Sequence, residues 1–263
     1  MSLAVERDGA TMTVRLQGSD GNRLDWPTIA TLHGIVRDLA ASRSARVLVL
    51  CGDGEDFCAG LKDGAMGEWP ESHAGRRPGG SQGPAPLPLI DLLADLRTLP
   101  VPTVAAVAGR AIGAGLDLAC HCDVRLAMPS ATFADDRVAR GQHVDTGVTY
   151  VLPRLVGLSQ TARLLLLGEA IDGAEAQRIG LVTRLATADQ PLAETTRALA
   201  RQIAQMATKS WSLVKQQVLD QLDLDYRSAL IHSMGIRQTN VIVDREEGQK
   251  AFFEKRPPRY VGR

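Results

Sequence analysis

The chain has 263 residues, 44% of them hydrophobic and 23% charged, which suits one sizeable core or a core with an appendage. Lys and Arg together number 30 and Asp and Glu 30, so there is no basic field of the kind a general nucleic-acid binder needs. No charged-then-apolar leader opens the sequence, no apolar run is long enough to span a bilayer, and the cysteines do not form a disulfide framework at this length; a cytoplasmic protein with no membrane partner is expected.

Residues 2–7 and 11–16 alternate apolar and polar around Asp8-Gly9, which predicts a β-hairpin. Asp25 sits where a helix cap belongs, with Pro27 in the first turn. The helix runs to about Ala41 with Ile29, Leu32, Ile35, Val36 and Leu39 on one face. Val47 to Leu50 reads as a buried strand, after which Gly52 to Gly54 turn the chain into Phe57-Cys58-Ala59-Gly60-Leu61. Residues 64–88 are dense in Gly and Pro and read either as a flexible lid or active-site wall, or as an insertion without fixed structure. A helix follows over about 89–98, then a buried strand from Val104 to Val107 that runs into Gly109-Arg110-Ala111-Ile112-Gly113-Ala114-Gly115-Leu116-Asp117. Residues 113–120 read as the start of a buried helix and 123–127 as a further strand, so the pattern is α/β.

From Gly147 the chain turns almost wholly helical. Ser159 is expected to cap a helix through Leu167 and Asp172 to cap residues 173–178. A short strand at 181–184 precedes amphipathic helices over about 189–206, 208–221, 225–238 and 243–254. The expected division is a core over 1–200 and a helical region over 201–263.

Two turns of small residues, each directly after an apolar run, suggest two backbone N–H donors aimed at one carbonyl oxygen, an oxyanion hole for an acyl substrate. The second turn is not a dinucleotide fingerprint, because Leu118 stands where its third glycine would fall. Cys120-His121-Cys122 lacks a second ligand pair and reads as core, so no metal is expected.

With both turns in place, the sequence resembles the crotonase (enoyl-CoA hydratase/isomerase) family over nearly its whole length. The matching segments are Phe57-Cys58-Ala59-Gly60, Pro100 to Gly109, the glycine turn with Leu118 to Asp123, Leu152 to Gly157, Ala174 to Val182, and Phe252-Phe253-Glu254-Lys255-Arg256-Pro257. The resemblance implies a spiral of ββα units, a C-terminal helical trimerisation region, and a homotrimer or dimer of trimers. It implies an acyl-CoA thioester as substrate, with coenzyme A arriving as part of it and no permanently bound cofactor. By position, the oxyanion donors are the N–H groups of Leu61 and Ala114. Coenzyme A is expected along Asn22, Arg23 and Leu24, the backbone of Ala59 and Gly60, and Phe252 and Lys255 reaching from a neighbouring subunit.

Hydratases similar to this chain use two glutamates. Here the first position is Asp117 and the second is Arg137, which is no proton-transfer base at neutral pH. Asp145 falls where several isomerases of the family carry a catalytic Asp, and where a dehalogenase branch carries a nucleophile. Catalytic roles for Asp117, Asp145 and Arg137 stand beside structural ones: a helix residue, a cap for the helix near Gly147, and a bridge to Asp135 or Asp136. A carboxylate on the acyl group is a further candidate partner for Arg137. His143 is either an assistant in proton transfer or a bystander. Isomerisation of a C=C bond is the expected reaction; hydration, hydrolysis, C–C cleavage and non-catalytic acyl-CoA binding are the alternatives.

Overall fold

The computed structural model describes residues 1–62, 88–187 and 189–262. Strands β1 (Ser2–Asp8) and β2 (Thr11–Gln17) form the expected antiparallel hairpin, with Ser2 opposite Gln17 and Asp8 opposite Thr11. Then β3 (Val47–Gly52), β4 (Thr103–Val107), β6 (Val124–Ala127) and β9 (Arg184–Leu185) add in parallel to give a six-stranded sheet in the order β1-β2-β3-β4-β6-β9. Between β4 and β6 the chain makes β5 (Arg110–Ile112), which joins β7 (Thr132–Ala134) and β8 (Ile171–Asp172) in a second, three-stranded sheet. That sheet has strands of two or three residues, too short for any periodicity to announce them.

Both faces of the large sheet are covered, which is why its central strands are apolar without a break. Leu48, Leu50, Ala105 and Val107 face the main core, together with α1 (Trp26–Ser42) and α2 (Pro88–Thr98). Their neighbours Val47, Val49, Val104 and Leu126 face the other way, onto Ala200 and Ile203 of α6 (Leu192–Ala204). The cap of α1 is as expected: Asp25 accepts from the Thr28 N–H at 3.1 Å. Asp172 likewise accepts from Glu175 N–H at the start of α5 (Gly173–Arg178).

One expected cap is corrected. Helix α4 (Val148–Thr161) begins beside Gly147 as expected and is broken at Gly157, whose φ of 79° and ψ of 165° are not helical, so that a second helical segment starts there as expected. Ser159 therefore sits inside the renewed helix, and the break is made by a glycine free to adopt positive φ. The short strand expected at 181–184 lies slightly later, at β9. The later helices α7 (Thr208–Asp220), α8 (Tyr226–Thr239) and α9 (Asp244–Phe253) match their expected spans within a few residues. The stretch expected as a lid or wall lies outside the described residues, except Pro88. Among the described residues, no helix is long and apolar enough to cross a membrane.

The two small-residue turns meet directly. Phe57 N–H donates to Ala108 O at 2.8 Å, Cys58 N–H to Arg110 O at 2.9 Å, and Ile112 N–H to Cys58 O at 3.0 Å. Helix α3 (Ala114–His121) then presses its first turn onto the same segment, so closely that a Cβ on Gly115 would lie 2.0 Å from Cys58 O. In an open helix Ala outranks Gly by roughly 1 kcal/mol. Here we expect the opposite sign: Gly115→Ala should destabilise the protein by about 1–3 kcal/mol through overpacking, seen as a lower melting temperature. An unchanged or raised melting temperature would refute the close approach.

Candidate active site

A cavity of about 330 Å³ opens beside the joined turns. Its wall includes Ala59, Gly60 and Leu61 from the first turn and Ile112, Gly113 and Ala114 from the second. Leu61 is aimed by a parallel bridge to Leu24, in which Leu24 N–H donates to Gly60 O at 2.8 Å and Lys62 N–H to Leu24 O at 2.9 Å. Both bonds run to the neighbours of Leu61, which leaves the Leu61 N–H on the opposite edge of the chain. Ala114 is the first residue of α3, so its N–H has no acceptor within the helix and carries the positive end of the helix dipole. The two expected donors thus stand on the wall of one cavity.

The carboxylates are divided. Asp117, one turn into α3, is fully buried and does not reach the cavity wall. Arg137 grips it with two bonds, Nη1 to Oδ2 at 2.9 Å and Nη2 to Oδ1 at 2.8 Å. On its other side Arg137 grips Asp135, also fully buried, through Nε at 3.0 Å and through Nη2. The remaining Nη1 proton goes to Thr146 Oγ1 at 3.3 Å. Every N–H of the guanidinium is thereby committed inside the protein. The salt bridge weighed for Arg137 is what forms, to Asp117 and Asp135, while Asp136 pairs with Arg140 instead.

Burial pushes the Asp117 carboxyl up to about 6, while the Arg137 guanidinium and the Thr146 hydroxyl pull it down. The Asp117 carbonyl accepts a 2.7 Å bond from His121 Nδ1, and burial pushes that imidazole down to about 4, so it is neutral near pH 7. Asp145, in contrast, lies on the cavity wall with its side chain 39% exposed and His143 Nε2 at 3.8 Å. It makes no cap for α4, whose N-cap position is Gly147 without a side-chain bond.

The expected coenzyme-binding residues separate into three groups. Arg23, Ala59 and Gly60 line the cavity, with Arg23 Nη1 bonded to Leu61 O at 3.2 Å. Asn22 and Leu24 are buried: the Asn22 amide donates to Asp53 O at 2.9 Å and Asp56 O at 2.7 Å and so ties the loops together. Phe252 is 77% exposed at the end of α9 and Lys255 is exposed just beyond it, away from the cavity wall. Residues the sequence did not single out, Trp26, Leu89 and Ile90, supply apolar wall, and Thr146 joins the buried cluster. Only the adjacency of Thr146 to Asp145 hinted at it. Among the described residues no group of three His, Cys, Asp or Glu side chains is gathered for a metal.

A family model described as enoyl-CoA hydratase/isomerase matches residues 6–263. The chain is 37% identical over 172 residues to a Mycobacterium leprae protein named probable enoyl-CoA hydratase echA8, a match spanning 65% of each chain and so just under two thirds of that relative's length. It is 31% identical over 267 residues to the human enoyl-CoA hydratase domain-containing protein 2, mitochondrial, covering 100% of this chain and 89% of the relative. The crystal structure of an enoyl-CoA hydratase from Bacillus anthracis superimposes with a TM-score of 0.89 at 26% identity, over 100% of both chains.

The buried cluster holds two carboxylates against one guanidinium, so its pH dependence has a definite sign. Removing the cation as Arg137→Gln should raise the Asp117 carboxyl in the folded protein still further above its unfolded value. That favours the fold only at low pH and is lost as pH rises through the folded value. We expect Arg137→Gln to lower stability by about 3–5 kcal/mol near pH 8 and by less near pH 5, measured by urea unfolding. An equal loss at both pH values would contradict the assignment.

Proposed function

The chain belongs to the enoyl-CoA hydratase/isomerase family, and from that premise we propose that it moves a C=C bond in an acyl-CoA thioester, with Asp145 carrying the proton. The observation that supports this reading is the asymmetry of the acids. Asp117 is sealed behind Arg137, whereas Asp145 shares a cavity wall with Leu61 and Ala114. Holding a water between two carboxylates needs both acids in the cavity; carrying a proton needs one.

In this reading the thioester oxygen of a 3-enoyl substrate sits between the N–H groups of Leu61 and Ala114. The Asp145 carboxylate removes a proton from the carbon beside the carbonyl. The C–H electron pair moves into the conjugated system, and the resulting dienolate oxygen is held by the two donors, each contributing roughly 2.7–4 kcal/mol to the transition state. Protonated Asp145 returns the proton to the far carbon, the carbonyl re-forms, and the 2-enoyl product leaves with no net change in composition. Arg137, itself part of the cavity wall, keeps Asp117 paired and out of the reaction.

Arg23 and the backbone of Ala59 and Gly60 follow the pantetheine arm. The exposed Phe252 and Lys255 reach the coenzyme of a neighbouring subunit, in a trimer or dimer of trimers assembled through the helical region over 201–263. The relatives' names favour hydration as the second reading, with Asp117 as its acid. That reaction requires Asp117 to give up Arg137 before it meets water.

Incubation with 2-enoyl-, 3-enoyl- and dienoyl-CoA thioesters in D2O separates the two. We expect a shifted double bond with deuterium incorporated, and a loss of about 10²–10⁴-fold in Asp145→Asn. Gain of one water, undiminished in Asp145→Asn, would replace isomerisation by hydration.

A further inference from the structure

We infer that Thr146 is the positioning residue for Asp145, and that the buried Asp117–Arg137–Asp135 cluster acts on the reaction through it. This rests on the reading of Asp145 as proton carrier.

The segment carrying Asp145 runs between two glycines in left-handed conformation, Gly141 at φ 69° and Gly147 at φ 80°. Among the described residues, no backbone N–H from 143 to 147 donates to another backbone group, and regular hydrogen bonding resumes only when Tyr150 and Val151 donate to Gly147 O. Side chains must therefore set where this segment lies. The two that turn inward are the immediate neighbours of Asp145. Val144 packs against the main core, and Thr146 is 6% exposed with its Oγ1 on Arg137 Nη1. Asp145 between them faces the cavity.

Val144 supplies contact area but no direction, since apolar packing tolerates sliding. The Thr146 hydroxyl supplies a direction, because its donor is rigid: Arg137 is clamped by two buried carboxylates through four of its contacts, Nη1 and Nη2 to Asp117 and Nε and Nη2 to Asp135. A planar guanidinium fixed on both sides offers its last proton at one place only. The arginine that stands where a second acid is expected thereby works as the anchor of the remaining acid's segment. An error of about 1 Å in a reacting group is enough to lower a rate by roughly 10²-fold, so a single hydroxyl on the cavity wall beside Asp145 matters to turnover through the position of that acid.

Thr146→Val removes the hydroxyl and keeps the shape. With 3-enoyl-CoA thioesters we expect kcat to fall roughly 10- to 100-fold while KM stays within about twofold, and Thr146→Ser to recover most of the loss. Hydrogen–deuterium exchange read by mass spectrometry should rise over residues 143–148 in Thr146→Val and stay unchanged elsewhere, whatever reaction the protein performs. Unchanged exchange over that segment overturns the inference. So does a wild-type kcat in Thr146→Val while Asp145→Asn is inactive. If Asp145→Asn is itself fully active, the proton-carrier reading fails, and raised exchange in Thr146→Val then leaves Thr146 as an anchor with no part in the reaction.

Discussion

The whole site depends on one backbone contact, the Cys58 carbonyl lying against the first turn of α3. Gly115 permits it, because any Cβ there would occupy the space of that oxygen. Around it, bonds from Phe57 to Ala108, Cys58 to Arg110 and Ile112 to Cys58 splice a loop that follows β3 to a strand that follows β4. Two segments about fifty residues apart in sequence are made into one piece of backbone. The Asp56 carboxylate reinforces the joint from outside, accepting from Arg110 Nε at 2.9 Å and Nη2 at 2.7 Å. Donors of this kind stabilise charge only if they are held in place before it develops. In the proposed reaction, carrying both on spliced backbone rather than on side chains removes the freedom that would otherwise have to be lost at the transition state.

Behind that joint lies an electrostatic decision. Asp117 stands one turn past Ala114, fully buried and paired with Arg137, which lines the cavity where Asp117 does not. Burial favours its neutral form, the guanidinium its charged form, and the fold resolves the conflict by burying Asp117 and Asp135 on either side of an arginine at the cavity wall. A buried arrangement of this sort contributes less to stability than its short distances suggest, since desolvation offsets much of the attraction. Its effect is on geometry: it bonds Thr146 and divides the acids into one enclosed and one exposed, which in the proposed reaction leaves a single carboxylate to carry the proton.

Much of this was legible beforehand, for identifiable reasons. The hairpin, α1 with its Asp25 cap, the buried strands and the C-terminal helices follow from periodicity and capping, which are local. The meeting of the two turns was readable because each breaks an apolar run with small residues. The three-stranded sheet was not, since Arg110–Ile112 and Ile171–Asp172 carry too few residues for a pattern. Asn22 illustrates the limit at the site: position suggested a coenzyme contact, but a buried amide takes whatever carbonyls the fold brings to it, here those of Asp53 and Asp56. Arg137 was readable as a departure from a two-acid site and as a partner for Asp135. That it also holds Asp117 and Thr146 is a matter of three dimensions.

The central claim is that Leu61 and Ala114 present their N–H groups to one thioester oxygen. Infrared difference spectroscopy with a 13C=O-labelled acyl-CoA thioester reads that oxygen directly in the protein-bound state. Two converging donors polarise the carbonyl, so the account predicts that its stretch moves to lower frequency on binding than in water, and that the band narrows as one geometry replaces many. A bound thioester whose carbonyl band stays at its aqueous position and width would contradict it.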